Sequence, residues 1–306
     1  MISGLTMVKN IAMSKVSILI PSRDEPWLKN TVDDLLNKAG GEIEIIAIVD
    51  GPTSHPLPEK NKNVNLIILS TPMGMRHGIN LATKMSTGKY LMKLDSHCTM
   101  TEGFDLKFQE NCEDNWVIVS RRAELNPDWI VTDPTVADYF YMSSPWTSPN
   151  GYFRMSRWIT RDRQHSDILF DETLTFSGSN WFMSRDHFFN RIKMMDESRF
   201  GQWSGEPEEI ACKTWLGGGK VMINKEVTHN HLRKEKIGRP YNIEWADALV
   251  GLQEGTRYWS HDEWPDRIHN FDWLIDHFWP LPTKEHHCHG EKYFWENNWK
   301  ELYLGH

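Results

Sequence analysis

Largely apolar runs alternate with amphipathic stretches through the first third of the chain. Residues 16–20 form a run stopped by Pro21, residues 43–49 and 64–69 form two more, and a fourth ends at Leu94. Between them, Leu28, Val32, Leu35 and Leu36 recur at helical spacing over 27–39 and stop at Gly40-Gly41. A second helix is predicted over 76–85, ending near Gly88. Strands that are apolar on both faces and joined by helices predict a parallel sheet covered on both sides, with ligands at the C-terminal strand edges. Asp50 and Asp95 both fall at such edges.

The rhythm weakens over 102–170. Residues 117–119 read as a further strand, while 126–163 are rich in Pro, aromatic and Arg residues, either as one side of a cleft or as irregular packing. Regular signals return with a strand over 180–183 and a helix from Arg185. Fifteen Trp stand out, seven of them at Trp245, Trp259, Trp264, Trp273, Trp279, Trp295 and Trp299 in a predicted helical extension over 243–306. Rings of this size are core by default.

Composition narrows the class of protein. At 39% hydrophobic and 25% charged residues the chain reads as folded and globular. A net charge of −8 argues against coating nucleic acid by bulk electrostatics, but leaves room for a local basic groove. No apolar run approaches the ~18 residues of a membrane span. Residues 1–15 lack the apolar core and cleavage site of a signal peptide, and the four Cys form no C-x-x-C pair. These features predict a cytoplasmic protein, in the host cytoplasm if the source is viral. Residues 1–14 are expected to be a leader that need not be ordered.

Candidate chemistry centres on Leu94-Asp95-Ser96-His97. If the segment stays extended, Asp95 and His97 point the same way and can share a divalent ion. The spacing alone is uninformative; its place at a strand edge gives it weight. The run His286-His287-Cys288-His289 invites a zinc reading, but no second pair stands at finger spacing. Arg154, Arg157, Arg161 and Arg163, interleaved with Tyr152, Phe153 and Trp158, could meet phosphates and stack bases, line a site for an acidic sugar, or be solvated.

Four segments stand in order: Pro21-Ser22-Arg23-Asp24-Glu25, Ile48-Val49-Asp50-Gly51, Gly74-Met75-Arg76-His77-Gly78 and Leu94-Asp95-Ser96-His97. The series resembles the nucleotide-sugar-binding half of family 2 glycosyltransferases and their relatives of GT-A fold. Asp95-Ser96-His97-Cys98, Trp203-Ser204-Gly205-Glu206-Pro207-Glu208-Glu209, Trp215-Leu216-Gly217-Gly218-Gly219 and Val227-Thr228-His229 with Arg233-Lys234 are most similar to the catalytic domain of the polypeptide N-acetylgalactosaminyltransferases. The resemblance covers roughly residues 15–242.

It implies an α/β, Rossmann-like GT-A domain over 15–242, a mostly parallel sheet flanked by helices. Residues 15–100 would be the nucleotide-binding half and 101–242 the acceptor and catalytic half. The implied activity is metal-dependent transfer of a sugar from a nucleotide-diphosphate donor, UDP-linked by preference, to a hydroxyl of a glycan, a protein or a hydroxymethylated base in phage DNA. A GT-A module that binds nucleotide or glycan without catalysis is the alternative of another class.

The resemblance assigns Asp95 and His97 to Mn2+ or Mg2+, with His229 as third ligand and His231 as second choice. Mixed carboxylate and imidazole donors suit Mn2+ somewhat better. Donor contacts are implied at Pro21, Asp24, Glu25, Asp50, Arg76, Asp95, Ser96, Gly178, Trp203, Arg233 and Tyr241. Of these, Asp50 would meet the nucleoside, Arg76 the nucleotide, and Arg233 and Tyr241 the diphosphate. Inverting family 2 enzymes place an Asp after the Glu of a Gly-Glu-Asp motif, and here that position is Pro207. The catalytic carboxylate is left open among Glu206, Glu208 and Glu209, with retention of configuration as the other route. Glu208 and Glu209 could also merely complement a helix dipole.

Overall fold

The computed structural model describes residues 13–147, 151–232, 234, 238–239, 241–285, 291 and 293–304. Among these residues twelve strands run β1 (Val16–Ser22), β2 (Ile43–Val49), β3 (Val64–Ile68), β4 (Tyr90–Leu94), β5 (Cys98–Met100), β6 (Trp116–Leu125), β7 (Val131–Ala137), β8 (Phe140–Met142), β9 (Met155–Arg157), β10 (Phe170–Glu172), β11 (Asn180–Ser184) and β12 (Lys220–Leu232). Among the described residues the α-helices are α1 (Leu28–Lys38), α2 (Met75–Met85), α3 (Phe104–Glu110), α4 (Ile159–Gln164), α5 (Glu197–Phe200), α6 (Glu206–Leu216), α7 (Trp245–Ser260), α8 (Phe271–His277) and α9 (Trp299–Leu304), and the helix predicted from Arg185 is a π-helix over His187–Ile192.

The main sheet has the order β10-β12-β6-β11-β4-β1-β2-β3, with β5 paired to β12 and β7 to β6; β8 and β9 form a separate ribbon. The β3-β2-β1-β4 part is parallel, as its near-continuous apolar runs predict. Beyond it β11 runs antiparallel to both β4 and β6, and β6 and β12 are parallel to each other.

Strand alternation sorts the apolar side chains onto two faces. Ile18, Ile20, Ile45 and Ala47 pack with Leu28, Val32 and Leu35 of α1. Leu19, Ile46 and Ile48 pack with Ile79 and Ala82 of α2 on the other face. Each such fully buried Leu or Ile is worth about 1.5–3 kcal/mol of transfer free energy, which is why the parallel half can be read from the chain alone.

The C-terminal segment, its helices and the loops between them, buries rings in the same core as the sheet. Trp259, Trp264, Trp295 and Trp299 lie in one cluster with Trp158, Phe200 and Trp215. Trp295 Nε1 donates to the Met142 carbonyl of β8 at 2.7 Å. Among the described residues no helix is long and apolar enough to cross a membrane.

Two local features prepare the site. β4 breaks after Leu94, and Asp95-Ser96-His97 turns tightly into β5, so Asp95 and His97 converge through a turn and not through extended alternation. In β12 the register against β6 shifts between Asn224 and Thr228. Such a bulge bends the strand, and its last residues pair with β5: His229 opposite Met100, His231 opposite Cys98.

Candidate functional site

A cleft of about 1520 Å³ opens at the C-terminal edges of β1, β2 and β4. Its floor holds a cluster of three metal-type donors, Asp95, His97 and His231, whose ligand atoms lie within 4.8 Å of one another. His231 Nε2 stands 3.2 Å from His97 Nε2 and 3.3 Å from Asp95 Oδ2. On its far side, His97 Nδ1 lies 3.2 Å from Glu25 Oε2, without the alignment of a hydrogen bond. Glu25 also binds Lys234. A carboxylate behind an imidazole turns its other nitrogen toward the shared centre.

His231, and not the first-choice His229, joins Asp95 and His97. The strand register is the reason. His231 faces Cys98, next to His97, while His229 lies two residues deeper, about 6.8 Å along the strand. There His229 sits between two hydroxyls, with Nε2 2.7 Å from Ser179 Oγ and Nδ1 2.9 Å from Ser120 Oγ. Burial pushes its pKa down to about 3, so it is a neutral internal strut under the 177–179 loop. Burial likewise holds His231 well below the usual histidine range.

One buried cation organises the centre. Lys93 lies inside β4 with its side chain 1% exposed, and its Nζ bonds Asp95 Oδ1 at 2.7 Å, the Gly178 carbonyl, and Glu206 Oε2 at 3.3 Å. Burial disfavours the ammonium, but the Asp95 and Glu206 charges outweigh it, and the pKa of Lys93 rises. For Asp95, burial pushes the other way too; the Lys93 charge and the His231 contact outweigh it, and its carboxyl stays well below the usual range. The sequence reading missed Lys93. Its signal was a lone lysine inside an otherwise apolar strand, which burial tolerates only when the charge is paired.

The predicted donor residues divide. Pro21, Glu25, Asp50, Asp95, Ser96, Gly178, Trp203 and Tyr241 line the cleft. Asp50 is fixed by its own carboxylate, which accepts from Met73 N at 2.6 Å and Gly74 N at 3.0 Å. Gly74 has φ +97°, and a Cβ there would meet Gln202 Cβ at 2.5 Å, so the loop requires glycine. Glu25 faces His97 and Lys234 rather than open space.

Two donor expectations do not place their residues in the cleft. Arg76 is buried (1% exposed): its Nε donates to Glu209 Oε2 at 2.9 Å and its Nη1 to the Phe200 and Gly201 carbonyls. It is drawn inward because Glu209 needs a counter-ion. Asp24 turns aside at φ 43° and accepts from Thr53 Oγ1 at 3.1 Å. Arg233 and the run 286–289 lie outside the described residues.

Cleft groups that sequence reasoning passed over include Arg23, 4.9 Å from the Tyr241 ring centre, Lys234 at 5.6 Å from the same ring, and Arg239, 5.5 Å from that of Trp203. Together they make a positive, aromatic rim suited to an anion. The arginine cluster of the 154–163 segment disperses. Arg161 lies against Tyr139, Trp158 and Phe278 and bonds Asp171, while Arg154 and Arg157 reach the cleft, Arg157 tied to Asp162. Phe153 and Trp158 are core.

The three carboxylates of α6 also differ. Glu206 Oε1 accepts from Trp181 Nε1 at 2.6 Å while Oε2 faces Lys93. Glu209 is held by Arg76, by Lys213 Nζ at 2.8 Å and by Asp196 N at 2.7 Å. Glu206 and Glu208 line the cleft.

Residues 17–189 match the family model for Glycosyl transferase family 2. Among curated proteins, Polypeptide N-acetylgalactosaminyltransferase 5 of Caenorhabditis elegans is 25% identical over 96% of this chain and 50% of its own length. Probable N-acetylgalactosaminyltransferase 9 of the same organism is 24% identical over 76% of this chain and 42% of its own. The chain thus spans half or less of the length of these relatives. A crystal structure of GalNAc-T7 with UDP, GalNAc and Mn2+ superposes with a TM-score of 0.66 at 16% identity, covering 90% of this chain and 60% of that one. That likeness is one of fold.

Proposed function

The chain belongs to glycosyl transferase family 2, and from that premise we propose that it moves a sugar from a nucleoside-diphosphate donor to a hydroxyl acceptor with a divalent cation held by Asp95, His97 and His231. The observation that carries the reading is the convergence of these three donors at the edge of the parallel strands. A donor set of one carboxylate oxygen and two imidazole nitrogens fits Mn2+ better than Mg2+. The GalNAc-T7 structure, which contains UDP and Mn2+, supports UDP as the nucleotide of the donor. Residues 15–100 would supply the nucleotide-binding half and 101–242 the acceptor and catalytic half, with 243–306 packed over them.

Bound there, the ion would act as a Lewis acid against the charge that develops on the departing diphosphate. The chain's own residues do the rest. Asp95, kept ionised by Lys93, and His231, kept neutral by burial, carry the net charges that ligation needs. Arg122 donates to His231 Nδ1 at 3.0 Å, so the neutral ring carries its proton on Nε2. Ligation through Nε2 requires that proton to move to Nδ1 and the Arg122 guanidinium to turn away. Arg23, Lys234 and Tyr241 would meet the diphosphate, Asp50 would mark the nucleoside end, and Gly178 would admit the sugar close to the backbone.

The test is release of nucleoside diphosphate from a panel of nucleotide sugars. Turnover with at least one donor in Mn2+, lost on chelation and restored by adding the metal back, is the expected result. Failure of every donor would leave a module that binds without catalysing.

A further inference from the structure

Arg122 reaches from β6 to the back of the three-donor cluster, where its Nη2 donates to His231 Nδ1 at 3.0 Å. A guanidinium has donors only, so the neutral ring it faces accepts at Nδ1 and carries its proton on Nε2. That atom stands 3.2 Å from His97 Nε2 and 3.3 Å from Asp95 Oδ2, so the proton lies among the three ligand atoms. The carboxylates around the other two donors are paired as well. Lys93 takes Asp95 Oδ1 at 2.7 Å and leaves Oδ2 for the centre. Both oxygens of Glu206 are engaged, by Trp181 and by Lys93, and Glu25 behind His97 is matched by Lys234.

We propose that Arg122 is a positioning residue that makes the centre take its divalent ion together with the nucleoside diphosphate, and only weakly without it. The inference rests on the glycosyltransferase reading above. Arg122 acts through His231, whose Nε2 can bind an ion only after its proton has passed to Nδ1 and the guanidinium has turned aside. A lone dication has to drive that change against a nearby positive charge, at a site whose carboxylates are already paired. A diphosphate offsets both costs. Its oxygens give the ion negative charge, and Arg122 lines the cleft, so the guanidinium released from His231 stays where an anion can accept from it.

Linkage makes the effect reciprocal. The factor by which UDP tightens Mn2+ must equal the factor by which Mn2+ tightens UDP, and coupling between two sites usually amounts to roughly 5–150-fold. The sign of a substitution is fixed too. Arg122→Met removes both the charge and the donor, so His231 can present Nε2 to an ion without opposition. Mn2+ alone should then bind more tightly, whereas damage to the fold would weaken it.

The test is a Mn2+ titration of the full chain with and without UDP, read from the paramagnetic resonance signal of the free ion. Wild type should bind Mn2+ roughly 5–150-fold more tightly with UDP present, and calorimetric titration of UDP with and without Mn2+ should return the same factor. Arg122→Met should bind Mn2+ alone roughly tenfold or more tightly than wild type, the scale of one hydrogen bond to a charged group, and should gain less from UDP. Arg122→Lys keeps a cation and a donor, and should stay closer to wild type than Met in both respects. Wild type that binds Mn2+ equally with and without UDP would overturn the proposal, and so would an Arg122→Met protein that binds Mn2+ alone no more tightly. Donor turnover by the same wild-type preparation would then leave the glycosyltransferase reading intact. If Mn2+ binds under neither condition and no donor turns over, both fall together.

Discussion

Asp95→Ala is expected to lower donor turnover by roughly 10³-fold or more, the scale set by removing charge stabilisation of a leaving group. Asp95 supplies the single carboxylate of the three-donor centre, with 26% of its side chain reaching the cleft. Without it two neutral imidazoles remain, and a hard cation loses its only anionic ligand from the chain. The second oxygen matters as well. It takes the Lys93 ammonium at 2.7 Å, so the alanine variant leaves that buried cation with Glu206 and one carbonyl. Asp95→Asn separates the two effects, since it keeps the shape and an acceptor for Lys93 while removing the charge. Thermal melts should place the Asn variant closer to wild type than the Ala variant, while steady-state kinetics over a range of Mn2+ should show neither with useful turnover. Activity within tenfold of wild type in either variant would remove Asp95 from the centre.

The largest effect on stability is expected at Lys93. Its ammonium is fully enclosed and neutralises both Asp95 and Glu206. Replacing it by Met keeps the volume and deletes the charge, stranding the buried Glu206 carboxylate, and such a broken buried pair costs about 3–5 kcal/mol. Burial already pulls the Glu206 pKa upward even with Lys93 present. The variant should therefore take up a proton at Glu206 and regain stability at acid pH, where the carboxyl is neutral. Adding Glu206→Gln to Lys93→Met should recover part of the loss at pH 7, because the two residues share one interaction. Urea unfolding of the single and double variants measures this. A Lys93→Met protein within 1 kcal/mol of wild type, taken as the error of such comparisons, would show that the centre does not depend on its internal cation.

Much of this architecture could be read along the chain, and the boundary between what could and could not is physical. The parallel strands were legible because both of their faces are largely buried, which leaves mostly apolar runs in β1, β2 and β4, each broken by a single internal polar residue, Ser17, Glu44 or Lys93. Asp50 and Asp95 were legible because they end such runs. The choice between His229 and His231 was not, since both sit on one face of one strand. Only the pairing of β12 with β5, about 130 residues away in sequence and offset by a bulge, decides which imidazole meets His97. Glu206, Glu208 and Glu209 likewise share a helix turn, and their roles are divided by cations brought from β4 and α2. Arg76 looked like a donor ligand by its motif, yet its charge is drawn inward by Glu209. Neighbouring arginines between 154 and 163 separate because a short strand and a short helix aim them at different walls. The buried Trp of the C-terminal segment were foreseeable as core, but not the place where Trp295 docks on β8.

The most direct test of the metal centre is anomalous diffraction at the manganese edge from crystals of the protein grown with UDP and Mn2+. The account predicts one strong peak within bonding distance of Asp95, His97 and His231, about 2.0–2.3 Å for such donors, with His229 still bonded to its two serines. A peak liganded by His229, or no peak at these residues when nucleotide is bound, would contradict it.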